Sequence, residues 1–238
     1  MKLSEMKIPA HIAFIMDGNG RWANQRNLAR TVGHKNGIER SKEIVSYCES
    51  IGVKYVTLYA FSTENWNRPK DEVDALMQYF IEYIDESLEK AHEENSRVLF
   101  IGDRTVLLEE LQTKMNTLEA ATADKTGITL CVAINYGSRN EITNAVKNIA
   151  QAYKDGRISI DNINEQLISD NLYTNGVPDP DILVRPSGEM RISNFLLWQS
   201  AYTEFFFDKV LWPDYSKYDV NRAIKSFSKR DRRYGAIK

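Results

Sequence analysis

Short, nearly continuous apolar runs alternate along the chain with stretches whose apolar residues recur every three or four positions. The runs fall at 11–16 (HIAFIM), 55–60 (YVTLYA), 97–102 (RVLFIG), 128–134 (ITLCVAI), 181–185 (DILVR) and 203–207 (TEFFF). Runs this short predict strands buried on both faces, as in a parallel sheet. Val73, Leu76, Met77, Phe80, Ile81, Ile84 and Leu88 mark one face of a long helix over 71–93, and Ile38, Ile44, Val45 and Cys48 mark another over 35–50. Segments 105–122, 139–154 and 218–230 predict further helices. No repeat, low-complexity tract or Pro/Gly/Ser linker divides the sequence, so 1–238 reads as a single domain. The expected fold is α/β: one open, mostly parallel six-stranded sheet flanked by helices. Such sheets bind ligands at the carboxyl ends of their strands.

Polar residues gather at three of those ends. The first run breaks into DGNGRW (Asp17 to Trp22), a carboxylate followed by a glycine-rich turn and a first helical turn. Glycine lets backbone N–H groups approach an anion, and a carboxylate beside such a cradle would repel phosphate unless a divalent cation lay between. A DG turn is equally a common strand-to-helix connection. Arg21, Arg30 and His34 could add phosphate donors, or Arg30 and His34 could be exposed residues around a helix starting near Lys35. The second run exits into FSTENWNRP, where Ser62, Glu64 and Asn65 can form a polar network, Trp66 can wall an apolar group and Arg68 can reach a phosphate. Asn67, Asp71 and Glu72 there also read as helix-start chemistry. The fifth run exits into RPSGEMRISN, where Arg185 and Arg191 flank a Ser-Gly turn and Ser193 and Asn194 open an expected helix, NFLLWQSAY, forming a second anion site. Glu204 precedes an aromatic run. It is either a metal ligand, or an edge-strand residue exposed or paired with an arginine.

Composition narrows the class. With 31 Lys and Arg against 33 Asp and Glu, the net charge of -2 gives no global argument for nucleic acid. The basic end KRDRRYGAIK reads first as solvated surface. No apolar run reaches the roughly 18 residues of a membrane span, and MKLSEMKIPA lacks the apolar core of a signal peptide. Cys48 and Cys131 lie in apolar segments and read as reduced core thiols, so the expected compartment is the cytosol. Two anion sites, carboxylates for a hard cation and nearby apolar surface together call for a pair of phosphorylated substrates with apolar bodies. The 71–93 helix and the aromatic 202–207 segment could line an apolar tunnel, although core packing explains both stripes first.

HIAFIMDGNGRWA, RTVGHKNG, TLYAFSTENWNRP, INYGSR, RPSGEMRISNFLLWQSAYTEFFF and LWPDY, in this order, resemble the cis-prenyltransferase family over nearly the whole chain. The DDxxD signature of the trans-acting prenyl synthases is absent. The resemblance implies Mg²⁺-dependent condensation of isopentenyl diphosphate onto an allylic diphosphate such as farnesyl diphosphate. Under it, Asp17 handles Mg²⁺ and helps the allylic diphosphate leave, and Gly18, Asn19, Gly20 and Arg21 bind that diphosphate with Arg30 and His34. Trp22 and Trp66 shape the allylic pocket. Ser62, Thr63, Glu64 and Asn65 sit at the reacting carbons, with Asn65 catalytic and Arg68 on a phosphate. Arg185, Arg191, Ile192 and Ser193 hold the isopentenyl diphosphate, the protein is expected to be a homodimer, and Glu204 is a second metal ligand, from the partner's side or its own. An amide is a very weak base, so Asn65 is expected to orient or relay while a diphosphate oxygen takes the proton.

Two positions depart from the family pattern: Met190 stands where some relatives carry His, and Pro186 where the usual residue is Thr. Arg233-Tyr234-Gly235 matches an R-x-G element that reaches a neighbouring subunit's site. Ala60 and Leu130 resemble positions that permit long products, which favours a C55 chain. So apolar a product must leave for a bilayer, which implies loose peripheral contact at a membrane surface without an anchor. An aspartyl phosphotransferase would want a second Asp at position 19, which is Asn. A catalytically silent relative would have no need of Asp17, Arg30, Asn65, Arg185 and Glu204.

Overall fold

In the computed structural model, residues 5–230 are described. Six strands, β1 (His11–Ile15), β2 (Tyr55–Ser62), β3 (Arg97–Ile101), β4 (Thr129–Tyr136), β5 (Ile182–Arg185) and β6 (Glu204–Phe207), form one sheet in the order β3-β4-β2-β1-β5-β6. Every neighbouring pair is parallel. Among the described residues seven α-helices accompany them: α1 (Asn19–Gln25), α2 (Arg30–Ser50), α3 (Lys70–Lys90), α4 (Glu109–Ala121), α5 (Ser138–Lys154), α6 (Glu165–Asp170) and α7 (Lys217–Ser228). All six expected strands and the long helices are present, with ends shifted by a few residues. The larger shift is at α2, which begins at Arg30, so Arg30 and His34 lie within it.

The strand pattern follows from burial on both faces. Along β1, Ile12 and Phe14 enter one core while Ala13 and Ile15 enter a second, and β5 divides Ile182 and Val184 from Leu183 in the same way. The first core is covered by α2, α3, α4 and α7, the second by the segment around Phe195 and Leu196. Both cysteines are free and buried, and burial pushes their thiols up to about 12, which leaves them inert at neutral pH.

One expected helix is absent. NFLLWQSAY forms consecutive turns, with Ser193, Asn194 and Leu196 at φ 49°, 62° and 47°. The segment serves another helix instead of starting its own. The Asn194 carbonyl accepts from Ser138 N–H at 2.8 Å and its Oδ1 from Arg139 N–H at 2.9 Å, capping α5. Phe195 stacks on Tyr59 with centroids 4.3 Å apart. Burying Phe195 and Leu196 while capping α5 outweighs regular helix geometry here, and the helix N-terminus expected at Ser193 does not exist.

His11 begins β1 at 2 % exposure, with Nδ1 2.7 Å from the Pro178 carbonyl and Nε2 2.8 Å from Thr57 Oγ1. Burial, only partly offset by the Pro178 bond and Asp181, lowers its pKa to about 4. Between that value and the unfolded value near 6.5, only the unfolded chain binds the proton. Stability should therefore fall as pH drops from about 6.5 towards 4, by on the order of 3 kcal/mol from this group. His34, also held low, adds in the same direction. Urea titrations across this range check it: His11→Asn should flatten the pH dependence, and an unchanged slope would remove His11 as its source.

Candidate active site

β1 lies between β2 and β5, with β2, β3 and β4 all on one side of it and β5 and β6 on the other, so the direction of travel across the sheet reverses beside β1. The carboxyl ends of β1 and β5 meet there. Gly18, at φ 102°, makes the turn into α1, and a β-carbon at this position would lie 2.9 Å from Leu211 Cδ2. No residue with a side chain fits that turn. The Asp17 carbonyl accepts from Trp212 N–H at 3.0 Å, so the LWPD segment braces the loop.

Asp17 and Arg185 form the centre. Arg185 Nη2 lies 2.8 Å and Nε 3.3 Å from Asp17 Oδ2, while Nη1 donates to Ser193 Oγ at 2.7 Å and to the Arg191 carbonyl at 2.5 Å. The Arg185 side chain is only 5 % exposed, that of Asp17 27 %. Arg21 stands 3.6 Å from Asp17 Oδ1 and donates to the Ser187 carbonyl at 2.9 Å. Partial burial pushes the Asp17 carboxyl up, but the bonds from Arg185 and the charges of Arg185 and Arg21 prevail, leaving it below the usual carboxylate range. Arg191 points outward, pairs with Glu189 at 2.5 Å and sits beside exposed Met190.

A second basic group is organised by a carboxylate that its sequence context disguises. Glu72 occupies the first turn of α3, where an acid reads as helix-start chemistry, yet it is buried and holds three partners. Its oxygens lie 3.3 Å from Arg30 Nε, 3.0 Å from His34 Nε2 and 3.1 Å from Arg68 Nη1. Arg30 also packs over Gly20, where an added β-carbon would sit 3.2 Å from its guanidinium carbon. His34 is buried, with its Nε2 engaged by Glu72, and burial with the neighbouring arginines lowers its pKa despite that contact. It is therefore a neutral internal tie, neither the exposed residue nor the free phosphate donor considered for it.

The exit of β2 forms a single-turn 3₁₀ helix, Thr63–Asn67, closed by a reciprocal Ser62–Asn65 capping box. Asn65 Oδ1 accepts from Ser62 N–H at 3.1 Å, which leaves the amide NH₂ as the outward group, a donor and not a base. Trp66 packs edge-on against Phe61 at 5.1 Å and donates to Asn135 Oδ1 at 2.8 Å. Gly137 brings this exit to the 193–194 turn: a β-carbon there would lie 2.6 Å from Thr63 Oγ1 and 2.7 Å from Asn194 Nδ2. Asn194 Nδ2 completes the bridge to Glu64 at 2.9 Å. Ile192 packs against the second core. Trp22 turns away, bonding Asp214 at 2.7 Å beneath Arg26.

Glu204 does not share this site within the chain. It is in register with Ile182, which is in register with Ile12, five residues before Asp17. At about 3.3 Å per residue the two carboxylates are separated by roughly 16 Å along the strands. Glu204 pairs with Arg230, the arginine-paired edge residue its sequence allowed. Among the described residues no three His, Cys, Asp or Glu side chains gather as a metal cluster. The R-x-G element at 233–235 lies outside the described residues.

An apolar cavity of about 480 Å³ lies between α2, α3 and the sheet, with Met16, the residue before Asp17, in its wall. Its walls include Leu58 and Ala60 of β2, Phe80 of α3, and Leu130 and Val132 of β4. Its lining also includes Lys42, which pairs with Glu86 across the gap between α2 and α3. The helix expected over 71–93 does line this space. The aromatic 202–207 segment, Trp22 and Trp66 do not, because β6 lies at the other edge of the sheet and both indoles are bonded elsewhere.

An ionised carboxylate among arginines, at the switch point of a parallel sheet and beside an apolar cavity, suits a transferase of amphiphilic diphosphates. Residues 15–235 match the prenyltransferase family model described as undecaprenyl diphosphate synthase. The isoprenyl transferase of Clostridium perfringens is 51% identical over 236 residues, covering 99% of this chain and 93% of that protein. The ditrans,polycis-undecaprenyl-diphosphate synthase ((2E,6E)-farnesyl-diphosphate specific) of Pasteurella multocida is 47% identical over 235 residues, covering 99% and 98%. Lavandulyl diphosphate synthase from Lavandula x intermedia, solved with dimethylallyl diphosphate, superposes with a TM-score of 0.92 at 34% identity, covering 96% of this chain and 99% of that one. The chain belongs to the undecaprenyl diphosphate synthase family and is a cis-prenyl transferase.

Proposed function

We propose that the protein condenses isopentenyl diphosphate onto farnesyl diphosphate with Mg²⁺, lengthening a cis-polyprenyl chain to a long product of the undecaprenyl class. The observation that carries this reading is the ionised Asp17 carboxylate held among Arg185 and Arg21 at the carboxyl end of β1, with the neighbouring residue, Met16, in the wall of the apolar cavity. A diphosphate held at the arginines would send its hydrocarbon into that space. Asp17 suits Mg²⁺, which is commonly held by one or two carboxylates with substrate phosphates completing the shell. Bound there, the cation would offset the charge that develops on a departing diphosphate.

In the reaction the allylic C1–O bond breaks, C1 bonds to C4 of isopentenyl diphosphate, and C2 loses a proton to a diphosphate oxygen. Gly18 to Arg21, Arg30 and Arg68 bind the allylic diphosphate, with Glu72 and His34 fixing the two outer arginines. Arg185, Arg191 and Ser193 hold the isopentenyl diphosphate, and the Asn65 amide orients the reacting groups. Preorganised donors at the leaving group and proximity of the two substrates supply most of the rate. A metal role for Glu204 requires contact across a homodimer, which sedimentation equilibrium would test. Product release brings the enzyme into loose contact with a membrane surface; no helix among the described residues is long and apolar enough to cross one.

Purified protein incubated with farnesyl diphosphate and radiolabelled isopentenyl diphosphate should yield butanol-extractable label with Mg²⁺ and none with EDTA. Absence of labelled product under every condition would overturn the proposal. Ala60→Leu adds bulk to the cavity wall and should shorten the product by several isoprene units while the first condensation stays within about threefold of wild type. Thin-layer chromatography of the extracted chains reads this; an unchanged length would dissociate the cavity from product control.

A further inference from the structure

Ser187 lies two residues beyond β5, and its hydroxyl is buried without a hydrogen-bond partner. Its backbone is fully used: the N–H donates to the Val210 carbonyl at 2.8 Å, and its own carbonyl accepts from Arg21 Nη1 at 2.9 Å. The residue is held at φ 79°, a left-handed conformation uncommon outside glycine. That conformation directs the side chain at the Asp17–Gly18 turn, where a β-carbon on Gly18 would lie 3.2 Å from Ser187 Cβ. A buried hydroxyl without a partner is destabilising, and strained backbone persists where its surroundings impose it. Both features together describe a donor whose acceptor bond is completed only when the site changes.

Arg185 supplies the reason for a change. Its donors are committed to Asp17 Oδ2, Ser193 Oγ and the Arg191 carbonyl. It cannot take a diphosphate in full while it holds Asp17. We infer that the Ser187 hydroxyl is a positioning group that replaces Arg185 as hydrogen-bond donor to the Asp17 carboxylate when substrate arrives. The exchange keeps the carboxylate oriented, releases the Arg185 guanidinium to a diphosphate and leaves the remaining Asp17 lone pairs to a cation. This inference rests on the Mg²⁺-dependent reading of Asp17.

Isothermal titration with inorganic diphosphate, with and without Mg²⁺, tests the exchange without turnover. Wild-type binding should tighten when Mg²⁺ is added. Ser187→Ala should lose about ten- to a hundredfold of that tightening, the range for removing a group that orients a metal ligand, with metal-free binding unchanged. The Mg²⁺ concentration for half-maximal turnover should rise in parallel, while the thermal midpoint stays level or increases. Ser187→Gly relieves the left-handed backbone and must show the same loss if the hydroxyl is responsible. Wild-type Mg²⁺ dependence in either variant overturns the inference. A wild-type protein whose diphosphate binding ignores Mg²⁺ would overturn the metal reading and this inference with it.

Discussion

Asp17→Asn should lower turnover about a thousandfold or more while the protein stays folded, because the change removes charge and keeps shape. In the free protein this carboxylate neutralises a guanidinium that is almost wholly buried, and Asn still offers an oxygen to Arg185. Asp17→Ala removes both charge and acceptor. Arg185 would then retain Ser193 Oγ and the Arg191 carbonyl but leave buried donors unsatisfied, so a further loss of about 1–3 kcal/mol of stability relative to the Asn variant is expected. Single-turnover assays with farnesyl and isopentenyl diphosphates, paired with urea titrations, separate the effects. Near-wild-type turnover in the Asn variant would remove Asp17 from the chemistry. Equal stability of the Ala and Asn variants would instead show that the acceptor oxygen facing Arg185 contributes nothing to stability.

Arg185→Lys is the second test, and the conservative substitution should fail. The guanidinium spans Asp17, Ser193 Oγ and the Arg191 carbonyl in one planar fork, which a single ammonium on a flexible stem cannot reproduce. The expected loss in kcat/KM is about 10²- to 10³-fold, from weaker isopentenyl diphosphate binding and from misplacement of Asp17. KM for isopentenyl diphosphate should rise more than KM for farnesyl diphosphate, whose donors lie on the Gly18–Arg21, Arg30 and Arg68 side. Equal increases in both would assign Arg185 to the allylic diphosphate or to overall folding, and a stability measurement on the same variant distinguishes those outcomes.

The misreadings share a cause. Glu72 sits where an acid normally supports a helix dipole, and only the approach of α2 to α3 makes it the common partner of Arg30, His34 and Arg68. NFLLWQSAY has composition suited to a helix, yet Asn194 caps α5 and Phe195 packs on Tyr59, contacts made 55 and more residues away in sequence. Ser187 looked like ordinary turn material in RPSGEMR; its burial and left-handed backbone have no local signature. For Glu204 the sequence left a metal ligand and an arginine-paired edge residue open; within the chain, parallel register places it at the opposite end of the strands from Asp17, paired with Arg230.

Local chemistry therefore determined the elements and the list of reactive groups. Uniform apolarity marks strands buried on both faces, three- and four-residue spacing marks the helices, and parallel strands must present their exits along one edge. That was sufficient to bring DGNGRW, STENWNRP and RPSGEMRISN together and, through their resemblance, to point to prenyl transfer. The tertiary structure decided which charge faces which. Arg185 holds Asp17, Glu72 gathers two arginines and a histidine, Glu204 pairs with Arg230 at the other end of the strands, and Met16 lines the apolar cavity. These pairings depend on register and on helix approach across tens of residues. Hydrogen bonds and ion pairs act over a few ångströms, so sequence order alone could not supply them.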